Sequence, residues 1–259
     1  MSGAQAISDR KADRRMNLTV GIIQPNYLPW RGYFDFIAEV DLFIFLDDVQ
    51  YTRRDWRNRN RIRLLKGDSE WITVPVLHGG LCEIREARID QTRPWSEQHL
   101  ASFQRNYSGT EGFAALFPIL AENLSRPWER IADLDITMTK VILKHLGITT
   151  PLMCASDFGI EGRRDERLIR LVRAVDGTRY LSGPAALDYL QPELWSAAGL
   201  ELAFKSYVGY APYEQVGPGF DPQISIVDTI FMTGAAAPLY VRPLREIEDQ
   251  LTRRAGEPR

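Results

Sequence analysis

The chain has 259 residues, a formal net charge of -2 at neutral pH, 44% hydrophobic and 25% charged residues. That length suits one large domain or two small ones. The near-zero charge gives no global attraction to nucleic acid or a membrane surface, and no apolar run is long enough to span a bilayer. The two cysteines, Cys82 and Cys154, lie far apart, and His78, His99 and His145 offer no pair at ligand spacing on one helix. This argues against a disulfide framework and a dedicated zinc site and fits a reducing, cytoplasmic compartment.

Residues 1–16 are polar and lack the apolar core of a signal peptide, so they read as a disordered tail, with Met16 opening the folded chain. Leu18 to Ile23 is a continuous apolar run, the pattern of a buried strand. It ends at Gln24-Pro25, because proline cannot donate to a ladder. A helix is expected from Trp30 or Arg31 through Phe34, Phe36 and Ile37, followed by a second buried strand, Leu42 to Leu46. Strand, helix, strand is a βαβ unit and predicts a parallel sheet. Ligands of such sheets sit beyond the strands' carboxyl ends, so the loops Gln24–Gly32 and Asp47–Arg54 are expected to meet at one crevice.

Further along, Trp71 to Val76 reads as a third strand and Glu83 to Ile89 as another, separated by a break at Gly79-Gly80. Helices are expected at Pro94 to Tyr107, Phe113 to Leu124 and Trp128 to Leu146, the last closed by Gly147. They form a helical lobe over residues 95–147. Pro151 to Ala155 reads as a strand, Arg163 to Val175 as a helix, Tyr180 to Gly183 as a strand entering a turn. Pro184 to Tyr189 and Pro192 to Ala198 read as helical and Leu200 to Phe204 as the last central strand. A Gly/Pro/Tyr-rich loop spans Tyr207 to Pro222, and a final helix runs from Ile224 to Met232. Residues 17–245 thus read as a single α/β domain, with residues 246–259 a C-terminal tail.

Two segments concentrate groups able to do chemistry. Gln24, Pro25, Asn26, Tyr27, Trp30, Arg31, Gly32 and Tyr33 follow the first strand, where a glycine and a helix N-terminus favour an anionic ligand. The same residues also suit an ordinary packed βα turn. Asp47 and Asp48 end the second strand and could hold Mg²⁺ or orient a ribose or amine. After them come Gln50, Tyr51, Arg53, Arg54, Asp55, Trp56, Arg57, Asn58, Arg59 and Asn60. Positions 50–66 carry seven basic residues against one acid, which is a poor composition for a salt-bridged surface. The arginines supply forks for phosphate or carboxylate, and Trp56 could stack on a base. That combination raises RNA as a partner. Ser182 and Gly183 could contact a phosphate or ribose, although no nucleophile elbow surrounds Ser182. Ser225 and Asp228 read as a substrate contact or a helix cap. Tyr107 joins the candidate binding residues.

The stretches VGIIQPNYLPWRGYFDFI, DLFIFLDDVQYTRRDWRNRNRI, WITVPV, YLSGPAALDYL and ISIVDTIFMTG resemble the WbqC-like protein family in order, over about residues 18–235. Members accompany bacterial surface-polysaccharide gene sets, and transfer of glycine onto an amino sugar has been put forward for them. Residues Asn106 to Gly112 and Gly209 to Tyr213 depart from the usual pattern, which opens the choice of substrate. A more distant resemblance is to nucleotidylyltransferases and pantothenate synthetase, which carry His-x-Gly-His after the first strand. Here the equivalent place reads Trp30-Arg31-Gly32-Tyr33, with the glycine kept and both histidines absent.

These resemblances imply a parallel-sheet, nucleotidylyltransferase-like (HUP-type) α/β core. They imply an enzyme that forms an amide between an activated small amino acid and an amine. Asn26, Tyr27, Asp48, Arg54 and Asp55 are its candidate catalytic residues. ATP with Mg²⁺ is the expected activating cofactor. An acyl-carrier thioester or aminoacyl-tRNA is the alternative donor, so tRNA or a carrier protein is a candidate partner. Neither DNA nor a membrane is expected. A nucleotidylyltransferase acting on a sugar phosphate or alcohol, and a non-catalytic nucleotide- or RNA-binding module, are the other readings.

Overall fold

The computed structural model describes residues 17–77 and 81–243. The two expected tails, His78 and the break at Gly79-Gly80 lie outside the described residues. In chain order the elements are β1 (Thr19–Ile23), α1 (Arg31–Glu39), β2 (Leu42–Phe45), β3 (Arg59–Arg63), β4 (Ser69–Thr73), α2 (Trp95–Tyr107), α3 (Phe113–Leu124), α4 (Ile131–His145), β5 (Leu152–Cys154), α5 (Arg164–Ala174), β6 (Arg179–Ser182), α6 (Pro192–Ala197), β7 (Glu201–Phe204), α7 (Ile226–Thr233) and α8 (Ala237–Val241). They divide into two compact units. The first holds residues 17–24, Phe36–Asp48 and Thr150–Ser206; the second holds Pro25–Asp35, Val49–Thr149 and residues 207–243.

The first unit is built on a five-stranded sheet in the order β5-β2-β1-β6-β7. Every neighbouring pair is parallel, as the βαβ pattern predicts. Counting only its own strands in chain order, the sheet runs 3-2-1-4-5. The order therefore reverses between β1 and β6, the arrangement of doubly wound nucleotide-binding folds. The continuous apolar runs of β1 and β2 follow from this position, since inner strands of such sheets are covered on both faces. One face packs Val20, Ile22 and Ile44 against Leu171, Val172, Tyr180 and Trp195. Trp195 is fully buried, stacks on Tyr180 at 4.6 Å and donates from its indole N–H to Asp165 at 2.7 Å. This buries the largest side chain of the unit without orphaning its donor. β7, expected as a central strand, is an edge. Its outermost place explains why Glu201 is exposed while Tyr180 and Leu181, inside the sheet, are not.

The second unit is mostly helical. Among its described residues one hairpin pairs β3 with β4 antiparallel, Arg59 opposite Thr73 and Arg63 opposite Ser69. Two readings are corrected here. The strand expected at Trp71 to Val76 begins and ends earlier, because Pro75 cannot continue the ladder. Glu83 to Ile89 is not a strand. A short 3-10 turn at Ile84–Glu86 occupies it, flanked by isolated bridges, Gln50 to Glu83, Val76 to Ile89 and Arg88 to Arg130. The helices pack around Phe231 of α7, whose ring meets Phe103, Tyr107 and Phe113 at 5.9, 5.0 and 5.4 Å. Gly112 is required at this junction, because a Cβ there would lie 2.0 Å from the Ile230 carbonyl oxygen. The helix α8 carried no sequence signal that set it apart from α7.

Candidate functional site

In the first unit the chemistry-bearing residues gather at the carboxyl ends of β1, β2 and β6. Gln24 follows β1, and Ser182 and Gly183 close β6, so these three flank the point where strand order reverses. Ser182 is buried, with its hydroxyl 3.4 Å from the Tyr180 phenol. Nothing lies within 4 Å of where a Cβ on Gly183 would stand. The paired acids end β2 and hold protein partners. Asp47 is buried and accepts from Ser156 twice, the backbone N–H at 3.0 Å and the hydroxyl at 2.6 Å. Asp48 pairs with Arg167 at 2.5 Å, leaving Oδ1 without a hydrogen-bond partner. With side chains only 10% and 12% exposed, this pair is shielded from water. Asp48→Ala is expected to lower stability by about 1.5–3 kcal/mol, the usual range for a hydrogen bond to a charged group. A urea midpoint unchanged from the parent protein would refute it.

In the second unit a cleft of about 340 Å³ is lined by Asn26, Pro29, Trp30, Trp56, Asn60, Pro222 and Gln223. Its geometry starts from the bend after β1. Leu28 is fully buried at φ 41°, a left-handed conformation that a branched side chain tolerates only when its surroundings enforce it. The enforcing groups are on the page. Asn60 donates to the carbonyls of Leu28 at 2.8 Å and Tyr27 at 3.3 Å. Ser225 donates to Leu28 at 2.7 Å, and the Tyr27 N–H donates to the Trp56 carbonyl at 2.9 Å. Asn58 ties β3 to the Val74 carbonyl at 2.8 Å. Gly32, read as a point of close approach for an anion, instead accommodates Trp30. A Cβ there would sit 2.4 Å from the indole, which itself packs edge-on to Tyr207 and Tyr210.

The arginines have separate fates. Arg53 and Arg54 are exposed in a turn that Asp55 organises, accepting from the Thr52 hydroxyl and the Trp56 N–H, each at 2.7 Å. Burial pushes the Asp55 carboxyl up, but the Thr52 hydrogen bond, the Arg57 charge and the Trp56 N–H outweigh it and hold the group below the usual range. Arg57 reaches Asp55 at 3.2 Å and the Asn26 side-chain oxygen at 3.5 Å. Arg59 lies 4.1 Å over the Trp71 ring, and Trp71 in turn lies 5.6 Å from Trp56. Both indoles are substantially exposed, at 43% and 41%. Arg61 pairs with Asp221 at 3.3 Å, and Arg63 donates to the carbonyls of Pro218 and Gly219. Gln50 is exposed. Tyr51 is half-buried, its N–H on the Cys82 carbonyl.

Three buried groups sit behind these walls. The Tyr27 hydroxyl lies 2.9 Å from Nδ1 of His99. Burial pushes the imidazole pKa down to about 4, against a smaller upward pull from the Thr73 backbone. Arg31, 4% exposed, donates to the carbonyls of Ala211 and Tyr240 and lies over the rings of Tyr210 and Tyr213. Tyr33 is also buried. Asp228 accepts from Tyr107 at 2.8 Å, Tyr213 at 2.7 Å and Gln215 at 3.0 Å. Ser225 caps the helix α7, accepting from the Val227 N–H at 3.4 Å. The third group is Asp135, on α4. It is fully buried, and neither carboxyl oxygen has a hydrogen-bond partner. Burial pushes its pKa well up, and the Arg57 charge pulls it partly back.

A family model described as the WbqC-like protein family matches residues 24–240. The chain belongs to the WbqC-like protein family. This WbqC-like protein is also 41% identical over 230 residues to the uncharacterized protein Rv1507c of Mycobacterium tuberculosis (strain ATCC 25618 / H37Rv), covering 88% of this chain and 99% of that protein. No solved structure matches it. Among the described residues no helix is long and apolar enough to cross a membrane, and no group of three or more His, Cys, Asp or Glu side chains is placed to hold a metal ion.

Within this WbqC-like protein many of the residues singled out from sequence fall into three sets. Asn26, Trp30, Trp56, Asn60 and, through Asn26, Arg57 come together at the cleft of the second unit. Gln24, Asp47, Asp48, Ser182 and Gly183 share the sheet end of the first unit. Arg31, Tyr107, Ser225 and Asp228 are buried, with their polar atoms committed to protein partners. Asp135 was missed. Its signal was its place on the apolar stripe of α4, four residues after Ile131 and three before Met138. A carboxylate on such a stripe is rare enough to mark.

Proposed function

We propose that this WbqC-like protein forms an amide, joining an activated small amino acid to an amine, with ATP as the activating nucleotide. The observation that carries the reading is the reversal of strand order between β1 and β6, flanked by Gln24, Ser182 and Gly183. Crevices at such reversals are where open parallel sheets take nucleotides. The open space at Gly183 leaves backbone room for a phosphate or ribose. Asp47 is spent on Ser156, so the free Oδ1 of Asp48 is the oxygen there that suits a Mg²⁺ ion, which usually takes one or two carboxylates plus phosphate oxygens. ATP would supply the leaving group; the chain's own part is to hold the reactants in register and keep water from the activated acyl group.

The cleft of the second unit suits the acyl or amine reactant. Its amide side chains and indoles offer neutral hydrogen bonding and flat apolar faces. The same strand order favours a second reading, a HUP-type nucleotidylyltransferase, which would transfer a nucleotidyl group to a sugar phosphate or alcohol and release pyrophosphate. Exposed Trp56 and Trp71, with Arg59 over the Trp71 ring, favour aminoacyl-tRNA over a carrier thioester should ATP not be the source of activation.

Thermal unfolding with ATP, CTP, an acyl-carrier thioester and aminoacyl-tRNA separates these. ATP with Mg²⁺ is expected to stabilise the fold, by about 2.7 kcal/mol at a hundredfold excess over Kd. Gly183→Val should remove that response while leaving the unliganded melting temperature in place, since the added methyl groups enter open space. No response to any nucleotide at saturating Mg²⁺ would sink the ATP route.

A further inference from the structure

The geometry points to Asp135 and Thr139 as a receptor for a small primary ammonium group inside the second unit. Asp135 and Thr139 are one helical turn apart on α4, so their side chains lie on one face. Both are completely buried, and the two carboxyl oxygens of Asp135 and the Thr139 hydroxyl have no hydrogen-bond partner. Three buried oxygens on one face match the three N–H donors of a primary ammonium, a group with no acceptor of its own. A buried carboxylate without a partner is expensive, and such groups persist where they serve a ligand, an ion or catalysis.

The surroundings fit a cation. The hydroxyls of Tyr27, Tyr33 and Tyr51 all feel the charge of Asp135, which places three phenols in its neighbourhood. Rings of this kind attract ammonium groups through their electron-rich faces. The nearby protein cation does not fill the role, because Arg57 directs Nη1 to Asp55 and Asn26 instead. Asn26 also lines the cleft, and the charge of Arg57, which reaches Asn26, is felt at Asp135. The ligand would be the amine that accepts the acyl group, a point that rests on the function proposed above. Ammonium binding itself does not.

The test is thermal unfolding and calorimetry of the full chain with methylammonium chloride, against equal concentrations of tetramethylammonium chloride and sodium chloride. Methylammonium should raise the melting temperature above both controls. Asp135→Asn keeps the shape but replaces one carboxyl oxygen with an N–H donor, and should weaken methylammonium binding by about tenfold or more, the loss of one charge-assisted hydrogen bond. Thr139→Val should weaken it less, with an unchanged fold, and decides the matter if Asp135→Asn does not fold. Equal responses to methylammonium and tetramethylammonium, or full methylammonium binding by both variants, overturn the proposal. So does no response to any ammonium, which would leave Asp135 with buried water only. Nucleotides are absent throughout, so failure here is distinct from failure of the ATP reading.

Discussion

Asp228→Ala is expected to cost about 3–5 kcal/mol of folding stability. The carboxylate is wholly buried and accepts from the Tyr107 and Tyr213 hydroxyls and from Gln215. Removing it orphans three donors at once, and each buried donor left unsatisfied costs about 1–3 kcal/mol, with incomplete additivity. The damage should spread, because the Tyr107 hydroxyl also accepts from the Arg63 N–H at 2.9 Å and Gln215 also holds the Asp221 loop. Denaturant unfolding of parent and variant reads the difference directly. A loss below 1 kcal/mol would mean that these groups rehydrate easily and that Asp228 is available for a ligand.

The second large effect is on acid stability. His99 is buried, with a pKa near 4 in the folded chain against an ordinary 6.5. A histidine depressed by folding contributes stability that is complete above pH 6.5. As pH falls from 6.5 toward 4, the unfolded chain takes up a proton that the folded chain refuses, and stability is lost over that window. The full difference is about 3 kcal/mol at 1.36 kcal/mol per unit. Stability curves of the parent and of His99→Gln between pH 7 and pH 4 should therefore converge as the pH drops, the variant losing less. Parallel curves would show that His99 takes no part. The cause is mainly burial beside Trp95 and Tyr27, against a smaller upward pull from the Thr73 backbone.

Much of the first unit was legible because its signals are local. Runs such as Leu42 to Phe45 are apolar on every residue only where both faces are covered, and their alternation with helices dictates a parallel sheet. Which strand sits beside which was not legible. The reversal between β1 and β6 pairs Val20 with Tyr180 across most of the chain length, and no short window carries that information. The second unit misled for a different reason. Arg59 to Ile62 alternates in burial, but the alternating residues are arginine against asparagine and isoleucine, and Arg63 is buried as well, which masks the strand in a charge count. Of the candidate site, the cleft residues Asn26, Trp30, Trp56 and Asn60 were found from local richness. The division of labour among the arginines was not, since it depends on carbonyls at Pro218, Gly219 and Gln223 far along the chain.

The alternation within β3 has a consequence for how this protein can change. One side of the strand sends Arg59 over Trp71 and Arg61 to Asp221; the other sends Asn60 under the cleft and Ile62 into the interior. Since successive side chains point to opposite faces, inserting or deleting one residue upstream in the hairpin exchanges the two sets entirely. Guanidinium groups would enter the apolar interior while the asparagine that fixes Leu28 turned to solvent. Substitution along this strand is therefore a graded change, whereas a change of length is all or none, and lineages that diverge in substrate should do so by replacing residues here while keeping the register of the hairpin fixed.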